Sequence, residues 1–334
     1  MRRTRLGALI ALPLTATLVA ACSQPAGSSD SGELSIATGS TSGVYYPIGG
    51  AIAEIVNSEV DETSSSAEAT GASVENLRMI DSGQADLAIV QADAAFQSVN
   101  AEGPFADEPV EARVLAVLYP NVYHSVSLQS IHKKKGLDCF SDVEGSRFSV
   151  GPPGSGNELA TDLVFESLGL SFEDIKVQRL AYAETATALR DGKLDAGSWV
   201  VGAGHGSLRE LEATDPLHLI PLCDDEQQRI TEEHPFYIPH TIPGGTYASV
   251  PDDVDTLALW NVLVVGPDFP EEKAYEITQA LYDNVDRVAS VYQPITETLS
   301  VDTLVGESPI PLHPGAVRYA EEQGTDVPAE LRGE

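Results

Sequence analysis

Two segments concentrate groups able to hold a ligand: TGSTSGVYY at 38–46 and GPPGSGNE at 151–158. Each follows a short apolar run and opens a helical one. Glycine lets a backbone approach a guest closely, and the first turn of a helix carries N–H groups with no intrahelical acceptor. The aligned peptide dipoles add partial positive charge there, so such a terminus holds an anion without a basic side chain. Ser40, Thr41, Ser42 and Ser155 add hydroxyl donors. TGAS at 70–73, containing Thr70 and Ser73, supplies a third terminus. A Gly/Ser loop also serves simply to turn a strand into a helix, and composition alone does not separate the two roles. Neither loop is a P-loop, because GPPGSGNE lacks the following Lys and TGSTSGVYY lacks a Gly-Lys-Ser/Thr ending. A carboxylate is therefore a more natural guest than a phosphate undergoing transfer.

Other chemistry finds little support. No G-x-S-x-G elbow and no HExxH occurs, and the seven His and three Cys lack metal-ligand spacing. No catalytic residue, cofactor or metal is expected. The chain carries 19 Lys+Arg against 51 Asp+Glu, a formal net charge of −32, which excludes a nucleic-acid partner. A secreted hydrolase using Ser155, or a lipid-anchored sensor or adhesion protein on the same fold, stand as alternatives to a binding protein. Tyr119 and Trp199, near strand ends, either pack against a ligand stem or belong to the core.

Residues 1–21 have the form of an export signal, with Arg2, Arg3 and Arg5 before an apolar stretch too short to span a bilayer comfortably. The signal ends in Val-Ala-Ala-Cys, which resembles a lipobox with Cys22 as the lipidated residue. Residues 22–33 read as a flexible Gly/Ser/Pro tether. Loss of the three arginines takes the net charge to −35. The mature chain is thus expected outside the cytoplasm of a bacterial cell, held to the membrane by lipid only, as a monomer. In that oxidising space Cys139 and Cys223 form an even pair, either a disulfide or two buried thiols.

Short β runs alternate with amphipathic helices along the chain. Strands are expected at 34–37, 67–69, 86–91, 113–118, 147–150, 175–180, 194–201 and 217–222, and helices at 44–56, 73–80, 157–168, 184–190, 270–289 and 314–323. Ser73 is the expected N-cap of its helix. Extended segments at 126–132 and 257–265 are candidate hinge crossings, and Lys133, Lys134 and Lys135 a solvated face beside one of them. The alternation predicts an α/β protein of two similar domains joined by crossover hinge strands. Lobe 1 would hold 34–125 plus 262–334, and lobe 2 126–261. A cleft between such domains is the default site for a small ligand.

The strings ATGSTSGVYYPIGGAIAEIVN, ATGASVENLRMIDSGQADLAIVQAD, FSVGPPGSGNELAT, YIPHTIPGGTY and IPLHPGAVRY resemble the TAXI family of TRAP-transporter solute-binding proteins over nearly the whole mature chain. The resemblance implies a two-lobed type II periplasmic-binding-protein fold. It also implies delivery of glutamate, glutamine or a related dicarboxylate to TRAP membrane subunits by hinge closure. Carried over by motif, Gly39, Ser40, Thr41, Ser42 and Tyr45, then Gln91, then Pro153, Ser155, Gly156 and Asn157 become the implied ligand contacts.

Overall fold

The structure is a computed structural model and describes residues 33–333. The export signal, Cys22 and nearly all of the tether lie outside the described residues. The chain runs β1 (Glu33–Ala37), α1 (Tyr45–Glu59), β2 (Ser64–Glu68), α2 (Ser73–Asp81), β3 (Leu87–Gln91), α3 (Ala92–Asn100) and the long β4 (Arg113–Leu128). It continues through α4 (Gln129–Lys135), β5 (Arg147–Ser149), α5 (Gly156–Ser167), β6 (Lys176–Gln178), α6 (Tyr182–Arg190), β7 (Ala196–Val201), α7 (Gly206–Glu212) and β8 (Leu217–Ile220). After α8 (Asp224–Glu233) and β9 (Ile238–Ile242), a second long strand, β10 (Val254–Val265), leads to α9 (Glu271–Asp283), α10 (Val285–Ala289), α11 (Val301–Gly306), α12 (Pro314–Glu322) and α13 (Ala329–Arg332).

The strand order is β2-β1-β3-β10-β4-β7-β5-β6, with β8 on β4 and β9 on β10. β1, β2 and β3 pair in parallel, as do β7, β5 and β6. β3 is buried along its whole length, as expected of a parallel strand covered on both faces. Between the two parallel sets run the antiparallel β4 and β10. The 261–265 part of β10 pairs with β3 and its 254–258 part with β9, while 122–126 of β4 pairs with β7. Each long strand thus serves both lobes. This is the expected α/β architecture of two lobes joined by crossover strands.

Two cores fill the layers. In β7, Ala196 and Val200 face the main core, with Phe140, Phe148 and Phe165. Trp199 and Val201 face the opposite side, with Val126, Leu208, Leu217 and Tyr247. The alternation follows from the two-residue period of a strand.

Several elements differ from those the residue pattern predicts. The expected strand at 113–118 and the extended segment at 126–132 are mostly one strand, β4, unbroken across Pro120 and Asn121. Pro120 is tolerated because the β4–β10 register shifts close by, between Asn261 and Val262. Residues 129–135 are helical, and Lys135 Nζ lies 3.2 Å from the buried Asp195 carboxylate, so the lysine run is not wholly a solvated face. The helix expected at 270–289 breaks at Asn284. α2 starts with Ser73 as its first residue, and its N-cap is Ala72, with φ at 80°. Ser73 Oγ instead accepts from the Gln91 amide at 3.1 Å. Among the described residues no helix is long and apolar enough to cross a membrane.

Cys139 and Cys223 are joined in a disulfide with Cα atoms 5.6 Å apart. Beneath it, the buried Glu226 carboxylate accepts the amides of Phe140, Ser141 and Cys223 at 2.9–3.2 Å.

Candidate functional site

A cavity of about 290 Å³ lies between the two parallel strand sets. Its walls bring together Gly39, Ser40 and Tyr45 from the first loop, Thr70 and Ser73 from the second, Gln91 from the end of β3, and Tyr119 from the middle of β4 rather than from a strand end as expected. Ser155, Gly156 and Asn157 come from the opposite lobe. Thr41, Ser42, Pro153 and Trp199 are not brought to it. Thr41 and Pro153 are exposed, Ser42 lines a neighbouring depression with His205, and Trp199 is fully buried, donating from Nε1 to Ser207 Oγ.

Helix termini from both lobes reach the cavity. At the start of α1, Val44 and Tyr45 line it, and the first-turn amides have no acceptor within the helix. At the start of α5, Ser155 is the N-cap, its Oγ accepting the Glu158 amide at 3.1 Å and donating to Pro152 O at 2.7 Å. The Gly156 and Asn157 amides are left as the open donors there. Asn157's own side chain is used structurally, with Nδ2 donating to Val150 O and Ser198 Oγ and Oδ1 accepting the Val200 amide. The α2 terminus behaves differently. Its Val74 and Glu75 amides donate to Gly154 O, at 3.2 and 3.3 Å, so this third terminus is closed by the opposite lobe.

At the hinge end of the cavity a chain of hydrogen bonds sets which atom faces the guest. Asn261 Nδ2 donates to Tyr119 O at 2.8 Å, and a carbonyl accepts only, so Oδ1 of Asn261 points the other way. That Oδ1 accepts Tyr45 OH at 2.5 Å and Asn121 Nδ2 at 3.0 Å. Asn121 is thereby oriented with Oδ1 free, and this atom, Gln91 Oε1 and Tyr119 OH are buried without a partner. All three residues line the cavity. Buried polar groups are normally satisfied, so orphans converging on one cavity mark contacts for a guest. Asn121 was not anticipated. It lies in the part of β4 around Pro120 that reads as a break, where one polar residue in an apolar run is its only signal.

The lining holds no charged side chain. Burial pushes the Tyr45 and Tyr119 phenols well above the usual range, so both stay neutral. Nearby, Asp93 is fully buried, and burial raises its carboxyl to about 7 despite hydrogen bonds from the Ala94 amide and Tyr237 OH. The walls offer no general base paired to a nucleophile. The donors and acceptors they present can bind and orient a guest.

The model of the NMT1-like family matches residues 36–324. The chain belongs to the NMT1-like family. Solved structures match this NMT1-like chain at low identity. A protein of Bordetella bronchiseptica RB50 is 17% identical, with a TM-score of 0.56, over 88% of this chain and 98% of its own. PhnD1 of Prochlorococcus marinus (MIT 9301), in complex with methylphosphonate, is 11% identical, with a TM-score of 0.50, over 79% and 90%. A putative sulfonate ABC transporter's periplasmic sulfonate-binding protein, SsuA of Methylobacillus flagellatus KT, is 17% identical, with a TM-score of 0.47, over 90% of each chain. The likenesses to the Bordetella protein and to PhnD1 place the NMT1-like chain in the two-lobed type II periplasmic-binding-protein fold. The family match also corrects the family drawn from the motifs. The family model that matches is the NMT1-like one, over residues 36–324. Assignment to the TAXI family of TRAP-transporter proteins does not stand.

Proposed function

We propose that this chain is the extracytoplasmic solute-binding component of a transport system, lipid-anchored at Cys22, and that it captures a small carboxylate between its lobes. Lobe 1 is taken as 34–125 plus 262–334 and lobe 2 as 126–261. The observation that carries the reading is an uncharged cavity reached by the α1 terminus from one lobe and the α5 terminus from the other. Such termini hold an anion by backbone donors alone. The phosphonate and sulfonate names among proteins of this fold fit a site for a small anion.

The unpartnered acceptors sharpen the choice. Asn121 Oδ1 and Gln91 Oε1 are acceptors and need a donor. With no lysine or arginine in the walls, the second charge of a dianion has no counter-charge. Glutamate or glutamine, with an ammonium beside the α-carboxylate, meets both the helix-terminus amides and the acceptors. A dicarboxylate lacking nitrogen meets only the amides.

The test is calorimetry on the purified chain with glutamate, glutamine, 2-oxoglutarate, a C4 dicarboxylate, methylphosphonate and an alkanesulfonate. Saturable binding of the amino-bearing carboxylates above the others supports the reading. Preference for the phosphonate or sulfonate overturns the choice of carboxylate. Binding of none of these anions removes the anion site itself. Radiolabelled fatty acid retained by the wild type and lost in Cys22→Ala checks the anchor.

A further inference from the structure

A second cavity, of about 740 Å³, lies on the other side of the Gly154–Ser155 segment. One wall is α5, which presents Glu158, Asp162 and Glu166 at four-residue intervals on one helix face. Like charges so placed repel one another. Glu158 is occupied, pairing with Arg179 at 2.5 Å and accepting the Gly154 amide at 2.8 Å. Asp162 and Glu166 have no such partner among the described residues, and burial followed by the Glu166 and Glu158 charges pushes the Asp162 carboxyl up. From the opposite lobe Glu102 adds a third unpaired carboxylate to the lining.

An independent observation points to an occupant. Gln97, on α3 in the wall facing α5, is 4% exposed, and its Oε1 has no hydrogen-bond partner. That oxygen lies at the wall residue Gly103, where a Cβ would meet it at 2.3 Å. His234 Nε2, in the same cavity, is likewise buried without a partner. Acceptors and negative charge therefore dominate the unmet polar groups.

We infer that this cavity binds a linear organic polycation of the diamine or polyamine class. Successive carboxylates on α5 stand about 6 Å apart along the helix axis, a span matched by the ammonium groups of an extended four-carbon diamine. Leu159, Leu163, Phe172 and Val74 offer apolar surface to the methylenes between them. Asp162 and Glu166 take the ammonium groups, with Glu102 and Gln97 Oε1 closing from the other lobe. A compact metal ion is a poorer fit, because the carboxylates in this cavity do not form one of the tight His/Cys/Asp/Glu clusters found among the described residues. The occupant is distinct from the solute in the uncharged cavity and would tie the two lobes together.

The experiment is calorimetry of the purified protein with spermidine, putrescine and magnesium chloride, at matched ionic strength. Saturable one-to-one binding of spermidine is expected, weaker binding of putrescine, and no competition from magnesium. Asp162→Asn combined with Glu166→Gln should weaken spermidine binding by about tenfold or more. This variant removes repulsion and should fold normally. Gln97→Met, checked by circular dichroism, should weaken binding by about threefold. Absence of saturable binding by either amine overturns the inference, as do equal displacement by magnesium and unchanged spermidine affinity in the double variant. A glutamate or glutamine signal that persists in the double variant separates this site from the main one.

Discussion

The backbone N–H of Val74, in the first turn of α2, donates to the carbonyl of Gly154 at 3.2 Å. A helix end of one lobe is thereby capped by a loop of the other, and the orphan donor that might have served a ligand serves lobe–lobe contact instead. Beside it Gly156 packs so closely that a Cβ would sit 2.3 Å from Gln91 Oε1 and 2.6 Å from Ser73 Oγ. Glycine is needed there for approach, not for an unusual backbone angle, since Gly156 is helical.

Gly156→Ala should therefore leave each lobe intact, because alanine favours a helix, yet hold the lobes apart. Affinity for the solute should fall by about tenfold or more, the overpacking cost being on the order of 1–3 kcal/mol. Calorimetry reads the affinity, and small-angle scattering with saturating solute reads the separation. Wild-type affinity would mean that the seam between Gly156 and Gln91 yields freely.

Asn121→Leu removes the acceptor that the Asn261 network aims at the cavity. Binding of glutamate should weaken by about 1–3 kcal/mol, the cost of an unmet polar group on the solute. A carboxylate without nitrogen should lose much less. Equal losses for both would show that Asn121 acts by packing rather than by accepting a hydrogen bond.

The pH dependence of stability should carry the mark of Asp93. Its carboxyl titrates at about 7 in the folded chain against an ordinary 3.8. A raised acid pKa means that the folded state binds the proton more tightly. The contribution is full below the ordinary value and is lost as pH rises through about 7. The loss is on the order of 3–4 kcal/mol between those limits. Urea denaturation at several pH values should show this slope in the wild type and its flattening in Asp93→Asn.

Asp195 works in the opposite direction. Burial alone would raise its pKa, but the hydrogen bonds from Arg147 and Lys135 hold it at about 2. Its stabilisation is present above the ordinary carboxylate pKa and disappears as pH falls through about 2. Arg147 is partly exposed, so the effect should be on the order of 1–2 kcal/mol after solvent screening. Asp195→Asn should unfold more readily than the wild type at neutral pH and approach it in strong acid.

Reduction of the Cys139–Cys223 bridge frees a loop with a sequence separation of 84 residues. Loop-closure entropy sets the expected loss at about 4–5 kcal/mol, read as a lower melting temperature in the Cys139→Ser, Cys223→Ser double variant.

The expected two-lobed architecture and both Gly/Ser loops were legible because they rest on local properties. Apolar periodicity marks strands and helices, and a helix start after a glycine loop exposes amides wherever it lies. Ser40 and Ser155 could thus be named from the chain, Gly39, Tyr45 and Gly156 were implied by the motif resemblance, and all five are found around one cavity. What the chain alone could not tell was how distant groups use one another. Trp199 turns to the core because of its parity on β7. The α2 amides are taken by Gly154 from the other lobe, and Asn121 is aimed by Asn261, 140 residues away in the chain. Each of these depends on which partner occupies the neighbouring space, a property of packing that no local pattern records.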